Sequence, residues 1–112
     1  MLEQLGKIRL YEDDWKYTSS IYMEVKAESV FTRRVFVIEF NNEITDPEIK
    51  RPNCQRRIIS VRLKPLMKAI NVSEDGFILE MKNRFGRFDG FDLLRTFLDE
   101  HGIDYDFREV IA

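Results

Sequence analysis

Residues 21–28, IYMEVKAE, alternate without a break: Ile21, Met23, Val25 and Ala27 fall on one side, Tyr22, Glu24, Lys26 and Glu28 on the other. Successive side chains of a strand point to opposite faces, so this period of two predicts a half-buried strand over 20–28. A turn near Glu28 and Ser29 is expected to lead into a second long strand, FTRRVFVIEFN, 31–41. Its VFVI centre is apolar on both faces, which places it inside a sheet. Two long strands in succession pair most simply as an antiparallel hairpin, and whatever follows must build on that sheet.

The remaining segments supply the other parts. RRIISVRL, 56–63, predicts a further strand with Ile59, Val61 and Leu63 on one face and Ile58, Ser60 and Arg62 on the other. Lys64 precedes Pro65 and is biased to extended geometry. PLMKAIN, 65–71, suits a short helix that starts at its proline. GFILEMK, 76–82, reads as another strand with Phe77, Leu79 and Met81 inward. Residues 2–11 fit either a short helix or a strand. YEDDW, 11–15, reads as a polar turn, and NNEITDPEIKRPN, 41–53, as a polar loop in which Asp46-Pro47 could begin one helical turn.

The C-terminal unit is the most clearly signalled. Asp89, with Asp92 three residues on, predicts a capping box. Phe91, Leu94, Phe97 and Leu98 form an apolar stripe, and Gly102 stands where a left-handed cap belongs. IDYDFREV, 103–110, then alternates as a last strand. The expected fold is α+β: one domain over 1–112, a mostly antiparallel sheet of about five strands, one main helix near 90–101 packed on one face, and a short helix near 65–71.

Charge is segregated along the chain. KRPNCQRRIISVRLKPLMK, 50–68, contains Lys50, Arg51, Arg56, Arg57, Arg62, Lys64 and Lys68 and no acid. Taking those seven from the 18 Lys and Arg leaves 11 against 20 Asp and Glu elsewhere, a net −9 outside the segment. Such a block is a candidate binding surface, with Arg84 and Arg87 of KNRFGRFDGF, 82–91, as an outlying part. In that second run Phe85 and Phe88 could stack on bases while Lys82, Arg84 and Arg87 hold phosphates; the competing reading makes both phenylalanines core. The competing reading of 50–68 is a solvated face, its arginines paired to Glu24, Glu28, Glu39 or Glu43 across the sheet, or an edge strand protected by charge.

Catalytic signals are sparse. Glu24-Val25-Lys26 and Glu80-Met81-Lys82 have the form of a strand-borne Glu-x-Lys pair, in which the carboxylate holds a divalent cation and the lysine steadies the attacking water. About one such triplet arises by chance in a chain this charged. A helix-turn-helix can be laid on 63–84 with Asn71-Val72-Ser73 as its turn, but Glu74 and Asp75 would then face phosphates, and the strand reading of 76–82 is preferred. The single cysteine, Cys54, and single histidine, His101, fall in different units and suggest neither nucleophilic catalysis nor a zinc site. No catalytic residue, metal or cofactor is expected.

The leading expectation is a non-enzymatic protein that binds another protein, as an accessory subunit, adaptor or inhibitor. The aromatics of YEDDWKY, 11–17, offer a second interface. A nucleic-acid-binding module using 50–68 is the alternative, and a metal nuclease with a Glu-x-Lys pair is third. With no signal-peptide pattern, no stretch of ~18 apolar residues and one cysteine, a cytoplasmic protein without a membrane partner is expected.

Overall fold

A computed structural model describes residues 6–13, 18–30, 33–45 and 54–111. Their elements follow one another as β1 (Lys7–Asp13), β2 (Thr18–Val30), β3 (Arg33–Thr45), β4 (Cys54–Arg62), α1 (Leu63–Ile70), α2 (Glu74–Phe85), α3 (Gly90–Glu100) and β5 (Tyr105–Ile111). The strands form one sheet in the order β1-β2-β3-β4-β5, antiparallel throughout. Residues 63–104 therefore leave β4 and return beside it, and the three helices they carry lie on one face of the sheet.

The alternation that predicts β2 also fixes its face. Ile21, Met23 and Val25 are buried beneath the helices, as are Ile38 and Phe40 of β3 and Ile59 and Val61 of β4. The β2–β3 hairpin is longer than expected. It runs past Glu28 and Ser29 to a last register pair Val30–Arg33, and in the other direction to Thr18–Thr45. Residues 41–45, expected as loop, are strand: Asn42 is 2% exposed, and its amide Nδ2 donates to the Ser20 carbonyl at 3.1 Å. That bond offsets the poor strand preference of asparagine. The helical turn expected at Asp46-Pro47 lies outside the described residues.

The clearest correction concerns 76–82. The segment expected as a strand is the middle of α2. Phe77, Met81 and Phe85, spaced by four, are buried, whereas Leu79, which a strand would turn inward, is 64% exposed. Ser73 takes the N-cap position with extended backbone, Glu74 and Asp75 occupy the first turn, and Lys82 and Arg84 the last. Both charge sets complement the helix dipole. The count of strands still comes to five because β1, left ambiguous, is a strand.

α1 starts two residues before its expected proline, so Lys64 is helical rather than extended; Pro65 still sits in the first turn, where its missing N–H is harmless. Leu63, expected at the end of a strand, opens the helix and remains buried. α1 ends at Asn71 in the left-handed region, φ 62°, which asparagine tolerates better than most residues. At α3 the capping box does not form: Asp89 makes no side-chain cap bond and pairs with Arg87, while Asp92 reaches β4. The other end is as expected. Gly102 has φ 63°, its N–H bonds Asp99 O at 3.2 Å, and Ile103 N–H bonds Leu98 O at 2.9 Å. This is a Schellman closure that turns the chain into β5.

Candidate functional site

The sheet has one face under helices and one open face. Register assembles the open face into rows. Lys7, Glu24, Glu39, Ser60 and Asp106 stand side by side across all five strands; the next row is Arg9, Tyr22, Asn41, Ile58 and Arg108; the next, Glu12, Ser20, Glu43, Arg56 and Val110. Lys26, Val37 and Arg62 make a shorter row on the other side of the acidic one. Charges of both signs thus share the face, with apolar side chains in every row but the acidic one. Glu24 and Glu39, directly opposed, would repel; Lys26 Nζ lies 3.3 Å from Glu39. Burial of Glu39 opposes its ionisation, but hydrogen bonds from Asn41 and Lys26 and the charges of Lys26 and Arg108 outweigh that and hold its carboxyl below the usual glutamate range.

The basic segment does not act as one patch. Consecutive strand residues point opposite ways, and Arg56 and Arg57 are consecutive. Arg56 lies on the open face, its guanidinium on Asn41 Oδ1 at 2.7 and 3.0 Å and 3.7 Å from Glu43. Arg57 lies under α3, donating to Asn42 Oδ1 at 2.8 and 3.2 Å, pairing with Asp92 at 2.7 Å and stacking 4.7 Å from the Phe91 ring centroid. Arg62, Lys64 and Lys68 are exposed and make no ion pair among the described residues. Lys50 and Arg51 lie outside the described residues. Arg56 therefore faces β3 rather than open solvent alone, whereas Arg62, opposite Val37, keeps its charge free.

Arg62 and Lys68 line an open groove of about 700 Å³ with Pro65, Ala69, His101, Gly102, Ile103 and Asp104. It lies between α1 and the turn after α3. His101 takes the C-cap position of α3: Nδ1 is 2.9 Å from Phe97 O, and its ring lies 4.0 Å from the Phe97 ring. Spacing alone did not bring His101 to the basic segment; the return from α3 to β5 does.

Other candidates are dispersed. Phe85 is buried against Phe97, centroids 6.0 Å apart, while Phe88 is 63% exposed, so 82–91 offers one free aromatic rather than a stacking pair. Arg84 bonds Glu80 at 2.6 Å, and Arg87 pairs with Asp89. Because 80–82 is helical, Glu80 and Lys82 point well apart, as residues two positions apart on a helix do. Glu24 and Lys26 do share the open face, but Lys26 turns to Glu39. No three His, Cys, Asp or Glu among the described residues are grouped to hold a metal ion. Tyr11 packs on the core edge; Trp15 and Tyr17 lie outside the described residues. Among the described residues no helix is long and apolar enough to cross a membrane. No family model matches the chain, and no curated protein and no solved structure matches it.

Proposed function

We propose that this chain is a binding protein that recognises another protein through the open face of its sheet. The observation that carries the reading is the row pattern: acids and bases are interspersed across five strands, with Tyr22, Val37 and Val110 between them. A polyanion would meet Glu24, Glu39, Glu43 and Asp106 on that surface, and interfaces with mixed charge and interleaved aromatic and aliphatic groups suit protein partners. The rigid sheet beneath preorganises the side chains, which lowers the ordering cost of association.

The test is capture from the native host by the wild-type chain and by Glu24→Lys plus Glu43→Lys. A protein recovered by the wild type, lost with this face variant and retained by the helix-surface variant Leu79→Ala supports the reading. Equal recovery by all three refutes it.

A second reading has its own observation. Arg62, Lys64 and Lys68 carry free charge beside the groove. If these three bind duplex phosphates, affinity falls with salt at a log–log slope of about −2.7, and Arg62→Glu plus Lys68→Glu abolishes binding. No association with DNA or RNA at low salt removes this reading.

A further inference from the structure

The two outer strands of the sheet differ. β1 carries a register irregularity between Arg9 and Tyr11, with Leu10 as the extra residue. Such a bulge bends the strand and blunts an edge against further pairing. β5 has no such interruption: its pairing with β4 is regular from Val61–Tyr105 to Gln55–Ile111. It contains neither proline nor glycine, and no described strand pairs with its outer edge. On the open face β5 presents Asp106 and Arg108, two residues apart and both exposed. Neither makes an ion pair or side-chain hydrogen bond among the described residues.

We propose that the outer edge of β5 pairs antiparallel with β5 of a second copy, about a two-fold axis at Phe107, joining two sheets into one. The argument is register. A two-fold axis perpendicular to the sheet keeps the helices of both copies on one side and requires facing residues to share a face. Centred on Phe107, the pairing sets Asp106 of each copy opposite Arg108 of the other, twice, and Phe107 opposite Phe107 beneath the helices. Centred on Asp106, it sets Asp104 opposite Arg108 twice but Asp106 against Asp106; centred on Arg108, it sets Arg108 against Arg108 with no opposite pair, so only the Phe107 register has opposite pairs and no like pair. Centred on Tyr105 it opposes Asp104 to Asp106; centred on Glu109 it opposes Glu109 to itself. Opposite charges across strands attract and like charges repel, so one register of the five is favoured. The same alternation of sign disfavours promiscuous stacking, because a strand of unrelated sequence does not match it.

The test is sedimentation of the full chain over a range of concentrations. The wild type is expected at twice the mass of the 13.4 kDa chain. Asp106→Arg opposes two arginine pairs, Arg108→Asp opposes two aspartate pairs, and each is expected to weaken the dimer by roughly tenfold or more. An equimolar mixture of the two single variants restores both pairs and is expected to dimerise where neither does alone. The double variant Asp106→Arg plus Arg108→Asp also restores them, and it serves as the readout if a single variant fails to fold. A wild type that remains monomeric at the highest concentration overturns the proposal. So do single variants that dimerise as the wild type does, or a mixture and a double variant that stay monomeric. None of these outcomes depends on a second protein, so the result is independent of the open-face reading.

Discussion

Replacing Arg57 by alanine should cost far more than replacing any other described cation of the basic segment. Asn42 is buried, its Nδ2 already committed to Ser20 O, and its Oδ1 accepts both bonds from Arg57. Without the guanidinium that oxygen is left buried and unpaired, at about 1–3 kcal/mol. Loss of the contact over Phe91 adds about 0.5–1 kcal/mol. The pair with Asp92 adds little, since the Asp92 side chain is 62% exposed. The expected loss is about 1.5–4 kcal/mol, read as a lower denaturant midpoint at unchanged slope. Arg57→Lys keeps the charge without the forked donor geometry and should fall between. The double-mutant cycle with Asn42→Ala should return a coupling of about 1 kcal/mol or more. A loss below about 0.5 kcal/mol with no coupling would refute the reasoning, and would return Arg57 to the pool of cations available for binding.

The helical assignment of 74–85 predicts that Phe77→Ala costs about 3–5 kcal/mol while Leu79→Ala stays within about 0.5 kcal/mol; comparable losses at the two sites in thermal or chemical unfolding would restore the strand reading. Gly90→Ala should destabilise severely, because an added Cβ would lie 1.8 Å from the Phe85 carbonyl oxygen; a variant unfolding at the wild-type midpoint contradicts that close approach. Glu39, with its folded pKa held below the ordinary 4.5, contributes stability that is present above that value and is lost as pH falls through the depressed one. Glu39→Gln should therefore flatten the acid side of the stability–pH profile, and an unchanged acid limb would deny Glu39 that role.

Most of the architecture is legible in the chain because most strands alternate cleanly over many residues. β2, β4 and β5 can be read that way, β3 from its VFVI centre apolar on both faces, and the stripe of Phe91, Leu94 and Leu98 followed by Gly102 specifies α3 and its end. Two elements are less legible, each for a particular cause. In β1 the segment fits both periods, since Ile8 and Leu10 alternate as in a strand while Leu2, Leu5 and Ile8 are spaced as on a helix, and the bulge at Leu10 shortens the alternation that would decide. In α2, positions 77 and 81 satisfy both a strand and a helix; only Phe85 beyond them and the Ser73-Glu74-Asp75 start distinguish the helix. The candidate surface is less legible. The alternation of 56–63 already puts Arg56 and Arg57 on opposite faces; what each one meets, Asn41 for Arg56 and Asn42 and Asp92 for Arg57, follows only from the register and from the placement of α3. Asn42 gave no signal at all: an asparagine in a polar stretch looks like loop, and its burial depends on Ser20 and Arg57 from neighbouring strands.

Lysines mark the competing surfaces separately: Lys7 and Lys26 the open sheet face, Lys64 and Lys68 the helix beside the groove, and Lys82 the far side of α2. Amine cross-linking of the captured complex, followed by mass spectrometry, therefore locates the partner directly. Links from Lys7 and Lys26 to a second protein are the predicted result. Links confined to Lys64, Lys68 or Lys82 would contradict recognition through the open face.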